Sequence, residues 1–161
     1  PDLELEERTG RDLQFARGDW HNAESESTDR NTLTTFATAR LLYEIETGQA
    51  ISQEYSDRIK AHLQHDTNPD AWQREYPNAI EDFFGEYLPS TVQLYTKLGY
   101  TLDDGRQEAA IIASEDGTTH FILVVFANDP LYSQEGSDAF PEIARYVYEQ
   151  MHFRTQNINN P

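Results

Sequence analysis

The sequence predicts a mixed α/β (α+β) fold: a helix pair, then a three-stranded antiparallel sheet with a C-terminal helix packed on it. Three observations carry this. Between Thr32 and His65, apolar residues recur at helical spacing in two blocks separated by a very short break. From Val92 to Phe126 the pattern changes to short β-branched and aromatic runs with a hairpin signal. From Asp138 onward helical spacing returns.

Residues 1–31 have no clean period, and Glu24-Ser25-Glu26-Ser27-Thr28-Asp29 is polar and turn-prone. They read as an irregular loop segment with a short helix near Arg11–Ala16 and Trp20 as its anchor. Residues 32–88 are the helical part. Thr32 opens the first helix as its N-cap, the hydroxyl accepting a free backbone N–H of the first turn, and the helix runs to Thr47. Leu33, Phe36, Ala37, Leu41 and Ile45 form its apolar face. Gly48 stops it, because glycine takes the left-handed conformation after a last turn without strain. The second helix runs from its cap Ser52 to His65, with Tyr55, Ile59 and Leu63 inward and Ile51 placed to staple its start. So short a connection makes the two an antiparallel pair. Asn68-Pro69-Asp70 breaks the pattern. Asn78 to Tyr87 reads as a further short helix with Ile80, Phe83, Phe84 and Tyr87 on its apolar side, ended by Leu88-Pro89.

Residues 89–161 hold the sheet and the last helix. Val92–Thr96, Ala109–Ser114 and Thr119–Phe126 read as strands, and Glu115-Asp116-Gly117-Thr118 joins the last two as a hairpin. Phe121 to Phe126 is apolar on both faces, as in a strand covered on two sides. The last helix spans Asp138 to Met151, capped by Ser137 or Asp138. Pro141 suits its first turn, and Phe140, Ile143, Ala144, Val147 and Met151 form a buried stripe. The tail from Asn157 is expected to fray. All this suits one domain at 161 residues.

Composition narrows the function. Twelve Lys and Arg against 29 Asp and Glu leave a net charge of −17. Nucleic acid and anionic lipid both require a basic patch, so neither is an expected partner. The excess is not a tail: residues 1–30, 31–88, 89–128 and 129–161 are each acidic, as in a solvated, self-repelling surface. A functional alternative is recruitment of a cationic partner. The chain has no Cys, which excludes a disulfide framework, a thiolate zinc site and a Cys nucleophile. No apolar run approaches a membrane span, and Pro1–Gly10 is acidic, unlike a signal segment. His62 and His65 lie three apart on the second helix, before Asp66. A metal needs a further ligand, so they read as C-terminal histidines at the negative end of the helix dipole. His21 and His120 have no evident partners. No metal or cofactor is expected.

The order of helix pair, Lys97-Leu98-Gly99 strand, hairpin and terminal helix resembles the C-terminal half of the penicillin-recognising serine hydrolases, most closely class A β-lactamases. The resemblance rests on Asn31-Thr32-Leu33-Thr34-Thr35, Thr47-Gly48-Gln49-Ala50-Ile51-Ser52, Lys97-Leu98-Gly99, Ala109-Ala110-Ile111-Ile112 and the Asp116-Gly117 turn, and it covers roughly residues 20–152. It implies an incomplete β-lactamase/transpeptidase-like fold. It also implies the C-terminal part of a hydrolase that opens β-lactams or cell-wall peptide amides through an acyl-enzyme. The family's nucleophile stands in Ser-x-x-Lys, beside a Ser-Asp-Asn motif. This chain has neither: its Lys60 and Lys97 follow Asp57 and Leu94 at three residues. The expected Ser therefore lies outside it, in an N-terminal half of the same protein. A small-molecule or peptidoglycan-type substrate and a periplasmic or extracellular address follow from the same resemblance. So does an inner position for the strand ending at Phe126, with its far edge pairing an N-terminal strand.

Residue by residue, the resemblance gives Lys97 to the cleft, where it tunes the Ser and attracts a substrate carboxylate; Tyr100 supplies an oxyanion-hole N–H. Read without it, Lys97 is an edge-strand lysine that discourages sheet-to-sheet pairing. Gly99 lets substrate lie flat on the strand, and Thr101 follows it in the substrate-binding set. Leu98 replaces the family's Thr or Ser and cannot hydrogen-bond a carboxylate. Arg106 is the candidate second cation. Asn22 matches the loop Asn, but the deacylating Glu then falls at Gly18, with only Asp19 adjacent. These departures leave an alternative: a catalytically lapsed binding or interaction module of the same fold. A third possibility, an unrelated acidic α+β interaction domain, would show a different sheet order.

Overall fold

The computed structural model describes residues 33–73, 78–100, 105–134 and 136–159. Trp20, the short helix near Arg11, the Thr32 cap and the candidates Asn22 and Thr101 lie outside them. Thr35–Pro161 forms one structural unit.

Helix α1 spans Thr35–Glu46 and α2 spans Gln53–Leu63. Gly48 between them takes φ +71°, and its N–H donates to the carbonyl of Ile45, closing α1 as glycine allows. Ser52 caps α2, its hydroxyl accepting the Tyr55 N–H. The buried stripe of α1 is not the expected one. Leu42 and Ile45 face the sheet, while Leu33, Phe36, Ala37 and Leu41 are exposed, Phe36 at 79%. Two apolar stripes overlap in this helix, and the sheet chose the narrower. Helix α2 ends at Leu63 because Gln64 turns to extended backbone (φ −71°, ψ 130°). Gln64–His65 becomes a two-residue strand, β1, so His62 and His65 sit on different elements. A four-residue helix, α3, follows at Pro69–Trp72.

Asn78 to Leu88 is a chain of turns, not a helix. Asp82 adopts φ +64°, which ends any helical run. Its N–H is taken by the Glu86 carboxylate at 2.6 Å, and the Asn78 carboxamide accepts the N–H groups of Ile80 and Glu81. The expected apolar residues Ile80, Phe83 and Phe84 are still buried, but Tyr87 is exposed and donates its hydroxyl to Asp138 at 2.6 Å. Gly85 must be small here: a Cβ would stand 2.7 Å from Ile80 Cδ1.

The sheet is antiparallel throughout, in the order β1-β2-β3-β4, with β2 Gln93–Tyr100, β3 Arg106–Ala113 and β4 His120–Ala127. The three expected strands are present, and β1 adds a fourth. Gly117 at φ +69° turns the hairpin. Asp116 accepts from the Ser114 hydroxyl and from the N–H and hydroxyl of Thr118; these bonds hold its carboxyl down at about 2. Side chains alternate across the sheet. On one face Leu94, Leu98, Ala110, Ile112, Phe121, Leu123 and Val125 meet the 78–88 turns and the last helix; on the other, Tyr95, Ala109, Ile111, Ile122 and Val124 meet α1 and α2. Strand β3 is therefore central, and its fully buried Ile111 and Ile112 each contribute about 1.5–3 kcal/mol of burial. Strand β4 is the last of the sheet among the described residues and stays partly exposed along its length.

A short helix, α4, spans Pro130–Ser133, and α5 spans Ala139–Asn159, eight residues beyond the expected end. Phe140, Pro141 and Ala144 are buried under it, whereas Ile143 is exposed. Phe140 stacks on Phe84 at 5.5 Å and meets Phe83 edge-on. No described helix is long and apolar enough to cross a membrane.

Candidate active site

Register decides which predicted site residues meet. Lys97 pairs with Ala109, Gly99 with Gln107 and Tyr100 with Arg106. Lys97 and Gly99 therefore project to the α1/α2 face. The helix pair covers that face around Tyr95, Ile111 and Ile122; beyond it Lys97 is exposed, and Gly99, Gln107 and Phe126 are half-buried. The Lys97 ammonium donates to the carbonyl of its neighbour Leu98. Strand β1 pairs only with Leu94 and Tyr95, so among the described residues the outer edge of β2 from Thr96 to Tyr100 has no strand partner. Tyr100 is 70% exposed at its end.

Leu98 and Arg106 are turned to the opposite face. Leu98 packs against the core cluster of Ile80, Phe84 and Phe140. Arg106 is 5% exposed, and its guanidinium is spent: it donates to the carbonyls of Asp82 (2.8 Å), Gln134 (2.8 Å) and Ser137 (3.5 Å). It also stands 3.7 Å from Asp82 Oδ2 and lies against the rings of Phe83 and Phe140. It clamps two segments, the 78–88 turns and the linker between α4 and α5, onto the sheet end, and its charge is turned away from the Lys97 face.

Gln107, paired with Gly99, is the residue on the Lys97 face at this end of β3. A Cβ on Gly99 would stand 3.4 Å from Gln107 Oε1, and Gln107 Nε2 donates to Asn128 Oδ1 at 3.1 Å. The sequence pattern leaves Gln107 in the loop before a strand that starts at Ala109. Alternation counted back from Ala109 puts Gln107 on the Lys97 face because β3 reaches back to Arg106.

Elsewhere, Glu46 takes Lys60 at 2.6 Å and His120 at 3.3 Å, so His120 does have a partner. This cluster ties α1 to α2 and to the start of β4, away from Lys97. Behind β2, Glu108 is fully buried, and burial pushes its carboxyl up to about 8; hydrogen bonds from Thr96 and Phe84 and the charge of Arg106 pull the other way.

The sequence profile described as the β-lactamase enzyme family matches residues 5–151, nearly the whole chain. The chain belongs to the β-lactamase enzyme family. Solved structures agree on the fold. A class A β-lactamase from Bacteroides cellulosilyticus is 19% identical with a TM-score of 0.57, over 84% of this chain and 46% of its own. A mutant of the class A β-lactamase of the last common ancestor of Gram-negative bacteria is 20% identical with a TM-score of 0.59, over 80% and 44%. A PBP-A mutant, solved as an acyl-enzyme complex with penicillin G, is 15% identical with a TM-score of 0.56, over 73% and 39%. This β-lactamase-family chain thus spans less than half the length of the structures it matches. Comparison with curated protein sequences returned no match.

Proposed function

We propose that this chain is the C-terminal part of a β-lactamase-like serine hydrolase that acts on β-lactams or cell-wall peptide amides. The observation that carries the reading is the β2 edge, where exposed Lys97 and side-chain-free Gly99 lie on one face of a strand segment that has no described partner strand. A peptide-like backbone adds to such an edge through main-chain hydrogen bonds. Lys97 supplies positive charge to a substrate carboxylate and lowers the cost of deprotonating a neighbouring hydroxyl. The nucleophilic Ser comes from the N-terminal half of the protein. Its Oγ bonds to the substrate carbonyl carbon, its proton passes to the leaving nitrogen, the C–N bond breaks, and an acyl ester remains. The Tyr100 N–H steadies the oxyanion, and Gln107 lines the floor beside Gly99 with a neutral amide.

One observation favours a second reading, a lapsed binding module: Leu98 offers no hydroxyl and its side chain packs into the core. Intact-mass spectrometry of the whole protein with a penicillin separates the two. The hydrolase reading expects one covalent acyl adduct on a Ser upstream of this chain, formed at least about 100-fold more slowly in Lys97→Ala, the scale of losing one preorganised electrostatic group. Absence of any adduct, with reversible binding retained, selects the binding module.

A further inference from the structure

Glu108 stands directly behind Lys97. Its strand position pairs with Leu98, and its side chain lies on the face opposite the cleft. It is 0% exposed, in a core of Phe84, Leu94, Ala110 and Phe140. Two groups reach it: the Phe84 N–H donates to Oε2 at 2.7 Å, and Thr96 Oγ1 lies 2.7 Å from Oε1. Phe84 belongs to the 78–88 turns, whose own backbone bonds are single turns (Phe83 N–H to Ile80, Glu86 N–H to Phe83, Leu88 N–H to Gly85) and none of which uses the Phe84 N–H. Thr96 is the residue before Lys97. One carboxyl therefore fastens a turn segment to the strand that presents Lys97.

The arrangement suits a neutral acid. With the proton on Oε1, the carboxyl donates to Thr96 Oγ1, and the Thr96 hydroxyl donates on to the carbonyl of Ala109, 3.5 Å away and paired with Lys97. Oε2 remains the acceptor for Phe84. An ionised carboxylate would have only the Phe84 N–H and the Thr96 hydroxyl as donors in an apolar core, which disfavours the charge. The charges around it do not remove that cost. Arg106, two residues away on the same face, is committed to three carbonyls and Asp82. The 78–88 turns bring the acids Glu81, Asp82 and Glu86, and Asp138 precedes α5; Tyr87 and Tyr148, both pushed above the ordinary phenol value, stay neutral hydroxyls. Strand β4 contributes only apolar side chains on this face, and β2 adds only the exposed Tyr100.

We propose that Glu108 is a positioning residue for Lys97: an uncharged buried carboxyl that ties the 78–88 turns to β2, and whose ionisation loosens both. This makes the presentation of Lys97 pH-dependent through a group that never touches substrate. It rests on the hydrolase reading only in treating Lys97 as a cleft residue.

The test is NMR on the intact protein, with 13C-labelled glutamate carboxyls and a 15N backbone, between pH 5 and 10 and without any β-lactam. The Glu108 carboxyl is expected to titrate near pH 8, and the amides of Phe84 and Lys97 to shift with the same midpoint. In Glu108→Gln, whose amide supplies the same acceptor and donor, those amide shifts should go flat while the fold persists. A Glu108 carboxyl titrating near 4.5, or a Lys97 amide that ignores the Glu108 transition, overturns the proposal on the unmutated protein alone. Because no substrate is used, failure here leaves the acyl-adduct experiment untouched, and failure of that experiment leaves this one standing.

Discussion

A carboxyl in an apolar core links folding to protons, and Glu108 does so with a definite sign. Its folded-state value lies near 8, above the ordinary 4.5, because burial disfavours the charge. The folded chain thus keeps a proton that the unfolded chain releases. Its favourable state is fully present below about 4.5 and is lost as pH rises through about 8. Urea unfolding should show stability falling across that window by up to about 1.4 kcal/mol per pH unit from this group, and Glu108→Gln should remove that slope. The individual site residues were unequally legible. The residue pattern ends the first strand at Thr96, and only the family resemblance carries Lys97 and Gly99 onto it; the structure extends β2 to Tyr100. Arg106 and Gln107 could not be placed, because the residue pattern leaves both in the loop before a strand starting at Ala109, and alternation assigns a face only to residues inside a strand.

Among the elements, helix α1 shows how far periodicity reaches. Leu33, Phe36, Ala37, Leu41 and Ile45 do recur at helical spacing, but so do Thr38, Leu42 and Ile45, and packing on Ile111 and Ile122 settled the choice. The two stripes give opposite expectations for mutation. Leu42→Ala should cost about 2–5 kcal/mol, as a deleted core side chain does. Phe36→Ser, at 79% exposure, should change stability by less than about 0.5 kcal/mol. Chemical denaturation of both variants checks the assignment, and a reversed order would return the predicted face to the core. The strands were legible because alternation and the Asp116-Gly117 turn act locally. The 78–88 segment was not: its helical pattern of Ile80, Phe83 and Phe84 is real, yet the left-handed Asp82 and the contacts of Asp82 and Phe84 with Arg106 and Glu108, far along the chain, outweigh it. Tertiary hydrogen bonds of that range leave no local trace.

Across the chain, the −17 charge sets a condition on stability that no single contact sets. Several described ion pairs are exposed, among them Arg40–Glu44 at 2.8 Å and the Arg145 pairs with Glu142 and Glu149, and pairs of that kind contribute about 0–1 kcal/mol each. The acidic excess runs through every segment, so folding brings like charges together. Salt screens both attractions and repulsions, with a Debye length near 10 Å at about 0.1 M. With 29 acids against 12 bases, repulsion is the larger sum. Raising NaCl from roughly 0.05 M to about 1 M should therefore move the urea midpoint upward with the slope of the transition unchanged. Chloride is the right probe, since sulfate would also strengthen apolar burial and mask the cause. A midpoint that falls with NaCl would mean that the ion pairs, Glu46 with Lys60 foremost, carry more of the fold than the acidic surface takes away.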